Sequence, residues 1–154
     1  MGGENKGGIS VAELKIETLP LTVNYGLPVE LMVRASHYDH VDPSINSESF
    51  PLDDQETEVM LVHFGLAIYS WDVLNWMGIN NQRAGELRGL LAFGAKYPDK
   101  QREFRIVALG SVRQLHNGCC YVPSLCRMGE GRKVECFQFN TYWPESCRFL
   151  AFHK

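Results

Sequence analysis

The chain has 154 residues, of which 45% are hydrophobic and 21% charged, so it can bury a core of one-domain size and does not have a disordered composition. Its net charge of −3 gives no support to a nucleic-acid or membrane-surface partner. No apolar run approaches the ~20 residues of a membrane span, and residues 1–10 lack an apolar signal core. We therefore expect no membrane insertion and, by default, a cytoplasmic protein, although removal of a leader before export would leave the same sequence.

The predicted elements begin with a Gly-rich flexible leader over residues 1–10, which precedes a single domain over 11–154. Residues 15–25 are apolar and rich in β-branched side chains, which predicts a strand. Pro28 suits the first turn of a helix, because the apolar residues after it recur at helical spacing. Residues 38–54 are polar, contain two prolines and indicate a loop.

A second strand and two helices are predicted next. Residues 56–64 are apolar beyond their first positions, which predicts a strand buried on both faces. Ser70 is a candidate N-cap for a helix that Gly78 would end. Asn81 is a candidate N-cap for a second helix, which Pro98 would end.

Beyond these helices the sequence predicts only strands and turns. A strand over residues 104–112 is followed by short segments broken by Asn, Gly and Pro, and a last strand covers 147–153. Because helices and strands are segregated along the chain, the pattern favours an α+β fold over an alternating, doubly wound one.

The densest polar cluster spans His37 to Asp42 and reads His-Tyr-Asp-His-Val-Asp. Imidazole and carboxylate groups together can bind a divalent metal, but this spacing matches no structural zinc pattern. The favoured interpretation is a loop whose aspartates bond nearby amides. The chain also lacks phosphate-binding, dinucleotide-binding, zinc-protease and nucleophile-elbow motifs. We therefore predict no metal, no cofactor and no enzymatic activity.

All five cysteines lie within 29 residues, at positions 119, 120, 126, 136 and 147. Their odd number excludes complete pairing within the chain, and a reducing compartment is the simpler interpretation. A nucleophilic cysteine would need a histidine and an orienting acid; His116 is close to Cys119, but no acid is near in sequence. The alternative is that the cysteines are small, moderately apolar residues of a surface or its underside.

The C-terminal third differs in composition from the rest. Residues 108–154 have a net charge of +3 against −6 for residues 1–107, and they mix aromatic, Asn, Ser and Arg side chains over turn-rich sequence. Aromatic side chains supply contact area at low entropy cost, and Ser and Asn adapt their hydrogen bonds, as in antibody paratopes. We expect Phe139, Trp143 and Phe149 to be core residues, with a binding surface between them.

From Leu21 onward, over about 130 residues, the chain resembles proteins from uncultivated archaea and small-genome bacteria that look like the variable proteins of diversity-generating retroelements. In that family an error-prone reverse transcriptase rewrites adenine-templated codons in the last segment of the gene. The matching stretches are Leu-Thr-Val-Asn-Tyr (21–25), Tyr-Asp-x-Val (38–41), Ala-Lys-Tyr-Pro-Asp-Lys-Gln-Arg-Glu-Phe (95–104), Ile-Val-Ala-Leu-Gly-Ser-Val (106–112), Val-Pro-x-Leu (122–125) and Cys-Arg-Phe-Leu-Ala (147–151).

The resemblance implies a C-type lectin fold of the formylglycine-generating-enzyme type, with two helices, antiparallel sheets and a loop-rich C-terminal part. It implies a ligand-binding protein with a sequence-diversified surface within residues 108–154. The framework would include Ala108 to Val112, Gly118, Val122, Pro123, Leu125, Gly129, Arg132, Phe139, Trp143 and Arg148 to Ala151. The diversified, ligand-binding positions would be Leu115, His116, Asn117, Cys119, Tyr121, Ser124, Cys126, Glu135, Phe137, Asn140, Thr141, Tyr142, Pro144, Glu145 and Ser146.

The resemblance also accounts for unpaired cysteines, because rewriting the two adenines of an Asn codon yields Cys among other residues. Glu135 and Glu145 do not arise by that change. Relatives often have Trp where this chain has Arg113 and Gln138, so the resemblance does not decide whether these two positions belong to the framework.

Three functions remain possible at the level of sequence. The first is a monomer that binds an unidentified ligand, a protein or another macromolecule, and no nucleic acid. The second is a cysteine and metal oxidase that resembles formylglycine-generating enzymes, with Cys119, Cys120 and Cys126 as its candidate copper ligands. The third is an assembly protein with a large apolar oligomer interface.

Overall fold

The computed structural model describes residues 14–23, 27–47 and 58–154, and over these residues the chain is a mixed α+β fold. The helices described are α1 (Val29–Ala35), α2 (Ser70–Ile79), α3 (Leu87–Lys96) and α4 (Lys100–Glu103). The strands described are β1 (Lys15–Pro20), β2 (His40–Val41), β3 (Glu58–His63), β4 (Ile68–Tyr69), β5 (Gln82–Ala84), β6 (Ile106–Val107), β7 (Arg113–Gln114), β8 (Cys120–Met128), β9 (Gly131–Gln138), β10 (Tyr142–Trp143) and β11 (Arg148–His153).

A large, mostly antiparallel sheet organises these elements. Its strand order is β1-β3-β11-β6-β8-β9-β2, with β5 added to β11 and β7 added to β8. The pairs β11–β6 and β2–β9 are parallel, and the other pairs in this sheet are antiparallel. A separate ladder joins β4 to β10. The predicted α+β class is therefore confirmed, but the described residues form four helices where two were expected from the resemblance.

Two apolar clusters cover opposite faces of this sheet. Strand β3 gives Val59 and Leu61 to the cluster that contains α1 and α3, and Met60 and Val62 to the cluster that contains α2. Successive side chains of a strand point to opposite faces, so the clusters lie on either side of β3. The prediction of a strand buried on both faces is confirmed.

One buried arginine joins the β8–β9 hairpin to the helices. The guanidinium of Arg132 donates to the carbonyl oxygens of Ser36 and Gly94, at 2.8 Å each. It also lies 4.7 Å from the centre of the Tyr38 ring, whose burial raises its pKa to about 12. Arg132 thus fixes the hairpin against the ends of two helices.

The helix boundaries correct several predictions. Helix α1 begins after Pro28 and α3 ends before Pro98, as predicted. Ser70 is the first residue of α2 and does not cap it, because its hydroxyl bonds to a distant segment, and Gly78 lies inside this helix. Asn81 adopts φ +59 and leads into β5, so it does not cap α3.

Strand predictions were most accurate where the chain is continuously apolar. The last strand, β11, was predicted within one residue. The strand expected over residues 104–112 is only two residues long, and beyond it the Gly110 amide bonds to the Gly85 carbonyl oxygen at 2.8 Å instead of continuing the ladder. The predicted strand over 15–25 ends at Pro20. The leader and parts of the 15–25, 38–54 and 56–64 predictions lie outside the described residues.

No helix within the described ranges is both long and apolar enough to cross a bilayer.

Candidate ligand-binding surface

The hydroxyl of Ser70 joins the start of α2 to the segment between β9 and β10. Its Oγ donates to the carbonyl oxygen of Phe139 at 2.6 Å and accepts from Nε1 of Trp143 at 2.8 Å. All three residues are buried. Antiparallel pairing places Tyr142 opposite Tyr69, next to these bonds. The two segments are thus held together by backbone and side-chain hydrogen bonds.

The neighbours of these buried residues form an exposed aromatic surface, defined here as Tyr69, Trp71, Asn140 and Tyr142. Tyr69 is 51% exposed, Trp71 69% and Tyr142 56%, and Asn140 is also exposed. The rings of Tyr69 and Tyr142 are 4.3 Å apart, and the Trp71 ring meets that of Phe139 edge-on at 5.1 Å. Successive strand residues point to opposite sides, so Tyr142 is exposed while its neighbour is in the core.

Charged residues are scarce in the segments that form this surface. Asp72 is the only charged residue in 65–81, and 136–144 contains none. Aromatic enrichment with depletion of charge is typical of the central part of protein–protein interfaces. Such a surface can contact, stack and hydrogen-bond a ligand, but it offers no acid–base pair for catalysis.

The fifteen predicted ligand-binding positions divide into three groups by exposure. The exposed ones are His116, Asn117, Cys119, Phe137, Asn140, Tyr142, Pro144, Glu145 and Ser146. The half-buried ones are Leu115, Tyr121, Glu135 and Thr141. The buried ones are Ser124 and Cys126.

Ser124 and Cys126 belong to a buried polar cluster on β8 and β9, and placing them on a binding surface was wrong. Arg105 donates to Ser124 Oγ at 2.7 Å and to Glu135 Oε2 at 2.8 Å. The same carboxylate lies 3.0 Å from Lys133 Nζ and 3.3 Å from Cys126 Sγ. Burial raises the pKa of Glu135, but the hydrogen bonds from these neighbours outweigh it and hold the pKa below its usual value. Glu135 therefore acts as a charged partner within the fold.

The exposed predicted positions lie in four separate places, of which the segment from Pro144 to Ser146, between β10 and β11, is one. His116, Asn117 and Cys119 occupy the turn between β7 and β8, which Gly118 closes with φ +86. Asn140 and Tyr142 lie on the aromatic surface. Phe137 lies on β9, with its ring 5.7 Å from that of Trp143 and 5.5 Å from the Arg105 guanidinium.

Glu145 and Ser146 line a cleft of about 380 Å³ beside β3 and β11. His63 and Arg148 also line it, and the backbone carbonyl of Glu145 lies 2.9 Å from Nε2 of His63. The guanidinium of Arg148 stacks 4.0 Å from the centre of the Phe104 ring. This cleft contains acidic as well as basic side chains, so its charge selects no single class of ligand.

The framework positions implied by the resemblance are mostly buried. Gly118 and Gly129 adopt the left-handed backbone conformation that favours glycine in tight turns. Buried framework residues are Ala108, Leu109, Val122, Pro123, Leu125, Arg132, Phe139, Trp143, Phe149, Leu150 and Ala151. The expectation that Phe139, Trp143 and Phe149 belong to the core is confirmed.

Of the two aspartates near β2, Asp42 bonds to a backbone amide close by in sequence, as predicted, whereas Asp39 bonds to the amide of the distant Arg132. Asp39 Oδ2 accepts from the Arg132 amide at 2.7 Å, and Asp42 Oδ1 accepts from the Ser44 amide at 2.9 Å. Throughout residues 14–23, 27–47 and 58–154, no group of three His, Cys, Asp or Glu side chains is arranged to hold a metal ion.

All five cysteines are free thiols, and they differ in accessibility. Burial raises the pKa of Cys126, Cys136 and Cys147 to about 11 each. The thiolate is the form that attacks electrophiles and binds metals, so these three are poor candidates for either role at neutral pH. Cys119 is exposed.

Comparisons with protein-family models, with curated proteins and with solved structures find no match. The aromatic surface is therefore interpreted from its own geometry.

The sequence predictions did not include Tyr69 and Trp71, the two members of the aromatic surface that lie outside the C-terminal third. The sequence did contain a signal for Trp71: Val73, Trp76 and Met77 recur at helical spacing, and the structure buries all three. Helical spacing places Trp71 away from that buried stripe. A tryptophan on the polar side of a short helix is a candidate contact residue.

Proposed function

We propose that this chain is a ligand-binding protein that displays a sequence-diversified surface on a C-type lectin scaffold. The observation that carries the proposal is the alternation of exposed and buried residues from Phe139 to Trp143. Asn140 and Tyr142 face solvent, whereas Phe139 and Trp143 are buried. Exposed residues of this segment can change without altering the core, which suits function on variable positions over a rigid scaffold.

The sheet supports the scaffold part of the proposal. Strands from both ends of the described chain, β1 and β11, flank β3, and both apolar clusters draw on β3 and β11. The core is thus built on β3 and β11, and its members next to the exposed aromatic residues, Phe139 and Trp143, are framework positions. This division agrees with the resemblance to variable proteins, in which a fixed C-type lectin frame carries the changing surface.

The structure narrows the set of positions proposed to vary. We retain the exposed ones, since a substitution there need not disturb packing. Ser124 and Cys126 are left out because they are buried, and Glu135 because its carboxylate bonds to Arg105 and Lys133. The retained set is His116, Asn117, Cys119, Phe137, Asn140, Tyr142, Pro144, Glu145 and Ser146.

The structure narrows the alternative, a cysteine oxidase, to one pair of thiols. Of the three candidate copper ligands, Cys119 is exposed, Cys120 half-buried and Cys126 buried. Burial raises the pKa of Cys126 to about 11, which disfavours the copper-binding thiolate there and leaves Cys119 and Cys120 as the pair to test. Titration of the full chain with Cu(I) alone tests this: binding of one copper per chain that Cys119→Ser and Cys120→Ser each abolish would support the oxidase instead.

The decisive genetic test is the sequence of the gene and its neighbourhood in many members of one population. We expect a reverse-transcriptase gene and a near-copy of the last coding segment beside it. Substitutions should concentrate at the retained positions, while the codons of Phe139 and Trp143 stay constant. Uniform variation across residues 108–154, or an unvaried segment without a neighbouring reverse transcriptase, would contradict the proposal.

A biochemical test uses an array of purified proteins and glycans probed with the labelled chain. Signals should fall about tenfold or more in Tyr142→Ala if this residue is a principal contact. The matched control is Leu31→Ala, because Leu31 is an exposed apolar residue on α1, across the sheet from α2. Signals that respond equally to both substitutions would show that another surface binds.

A further inference from the structure

Two parts of the chain contribute to the aromatic surface. Tyr142 and Asn140 lie within the segment proposed to vary, whereas Tyr69 and Trp71 lie in β4 and α2, outside residues 108–154. The rings of Tyr69 and Tyr142 are only 4.3 Å apart. A ligand that covers Tyr142 must therefore also meet residues that the proposed diversification does not change.

The constant pair is held in place by buried residues. Ser70 lies between Tyr69 and Trp71, and its hydroxyl bonds to Phe139 and Trp143. The Trp71 ring rests edge-on against Phe139 at 5.1 Å. Both bonding partners are framework positions, so the backbone that carries the two exposed rings, and the packing of Trp71 on Phe139, do not depend on the variable neighbours. Contacts held in advance lose less conformational freedom on binding.

The chemistry of the surface fits a folded protein. Three clefts are described, one lined mainly by α1 and α3 and two lined in part by His63 and Arg148. None of the three includes Tyr69, Trp71 or Tyr142 in its lining. Small-molecule sites are usually concave, so these rings suit a flat partner better. Trp and Tyr are the residues enriched at the energetic centres of protein interfaces, and the scarcity of charge around them matches such centres.

We infer that Tyr69 and Trp71 form the constant half of a protein-binding surface and contact the partner in every sequence variant. The inference rests on the proposed function, because it assigns the variable half to the exposed residues around Asn140 and Tyr142. The constant rings supply shared contact area, and their variable neighbours determine which protein is bound.

The test uses a displayed library of the full chain, randomised at the retained positions Asn140, Tyr142 and Pro144 and selected for binding to lysozyme as a defined folded protein. Trp71→Ala and Tyr69→Ala are then introduced separately into several independent binders. We expect each substitution to weaken lysozyme binding about tenfold or more in every binder, as for central aromatic contacts. Ile79→Ala is the matched control, since Ile79 is exposed at the far end of the same helix.

The possible outcomes distinguish a failure of the inference from a failure of the proposed function. Binders that tolerate both Tyr69→Ala and Trp71→Ala would overturn the inference and leave the diversified surface intact. A library that yields no binder would overturn both. Thermal melts accompany each variant, and Trp71→Gln is the second substitution: the same loss of binding at an unchanged melting temperature supports a contact role, whereas retained binding refutes it.

Discussion

The hydrogen bonds of Ser70 allow a quantitative prediction for Ser70→Ala. The hydroxyl satisfies two buried groups, the carbonyl oxygen of Phe139 at 2.6 Å and Nε1 of Trp143 at 2.8 Å. Removing one partner of a buried hydrogen bond costs about 1–3 kcal/mol, and two groups lose their partner here. Because some relaxation will be shared between them, we expect the free energy of unfolding to fall by about 2–4 kcal/mol.

Urea denaturation followed by tryptophan fluorescence measures this loss. The midpoint should fall while the slope of the transition stays the same, which identifies a change in stability alone. Ser146→Ala is the matched control, because Ser146 is exposed, and its effect should stay within about 0.5 kcal/mol.

A double-mutant cycle of Ser70→Ala with Trp143→Phe tests whether the hydrogen bond to Trp143 accounts for part of this loss. Phenylalanine has no N–H, so Ser70→Ala then orphans only the Phe139 carbonyl, and its cost should shrink by about 1 kcal/mol or more. An equal cost in both backgrounds would refute the claim that the bond to Trp143 stabilises the start of α2.

Three further predictions concern stability, pH and thiol reactivity. Tyr142→Ala should cost under about 1 kcal/mol and Leu109→Ala about 2–5 kcal/mol in urea melts, since only Leu109 is fully enclosed; equal losses would contradict the division between surface and core. Glu135 has a pKa held below its usual 4.5, so the stability it adds is present above that value and is lost as the pH falls through the lower, folded-state pKa. The difference in unfolding free energy between the parent chain and Glu135→Gln should therefore shrink on acidification below pH 4.5, and a difference independent of pH would refute this role. With a thiol reagent at neutral pH, Cys119 should react in the folded chain and Cys126 only after unfolding, and Cys119→Ser should remove the fast reaction; rapid labelling of Cys126 would contradict its burial.

Local sequence patterns predicted the fold best where one residue type dominates a segment. The apolar run within β3 predicted a strand covered on both faces, and Asp42 had the nearby Ser44 amide to bond. The role of Ser70 could not be predicted in this way. A serine before a helix is a normal N-cap, but this hydroxyl bonds to residues about seventy positions away, and only the folded chain brings them together.

The sequence indicated only part of the candidate site, because contacts between distant residues decide the rest. Aromatic and Asn residues after Phe137 indicated a surface, and Tyr142 and Asn140 are exposed as expected. Ser124 and Cys126 have small polar side chains that suit either a surface or a crowded interior, and the sequence did not indicate that Arg105 and Glu135 would cover them. Trp71 was missed because the binding surface was sought only in the C-terminal third.

Strand β11 makes folding of the described chain depend on residues 148–153. This last strand pairs with β3, β5 and β6, and its residues Phe149 to Phe152 are buried in both apolar clusters. A polypeptide cut short by a frameshift or a premature stop before Arg148 would leave β3 and β6 without their shared neighbour and would expose the core to proteases. If the preceding segment is diversified as proposed, truncated chains would thus be eliminated as unfolded before they could bind a ligand.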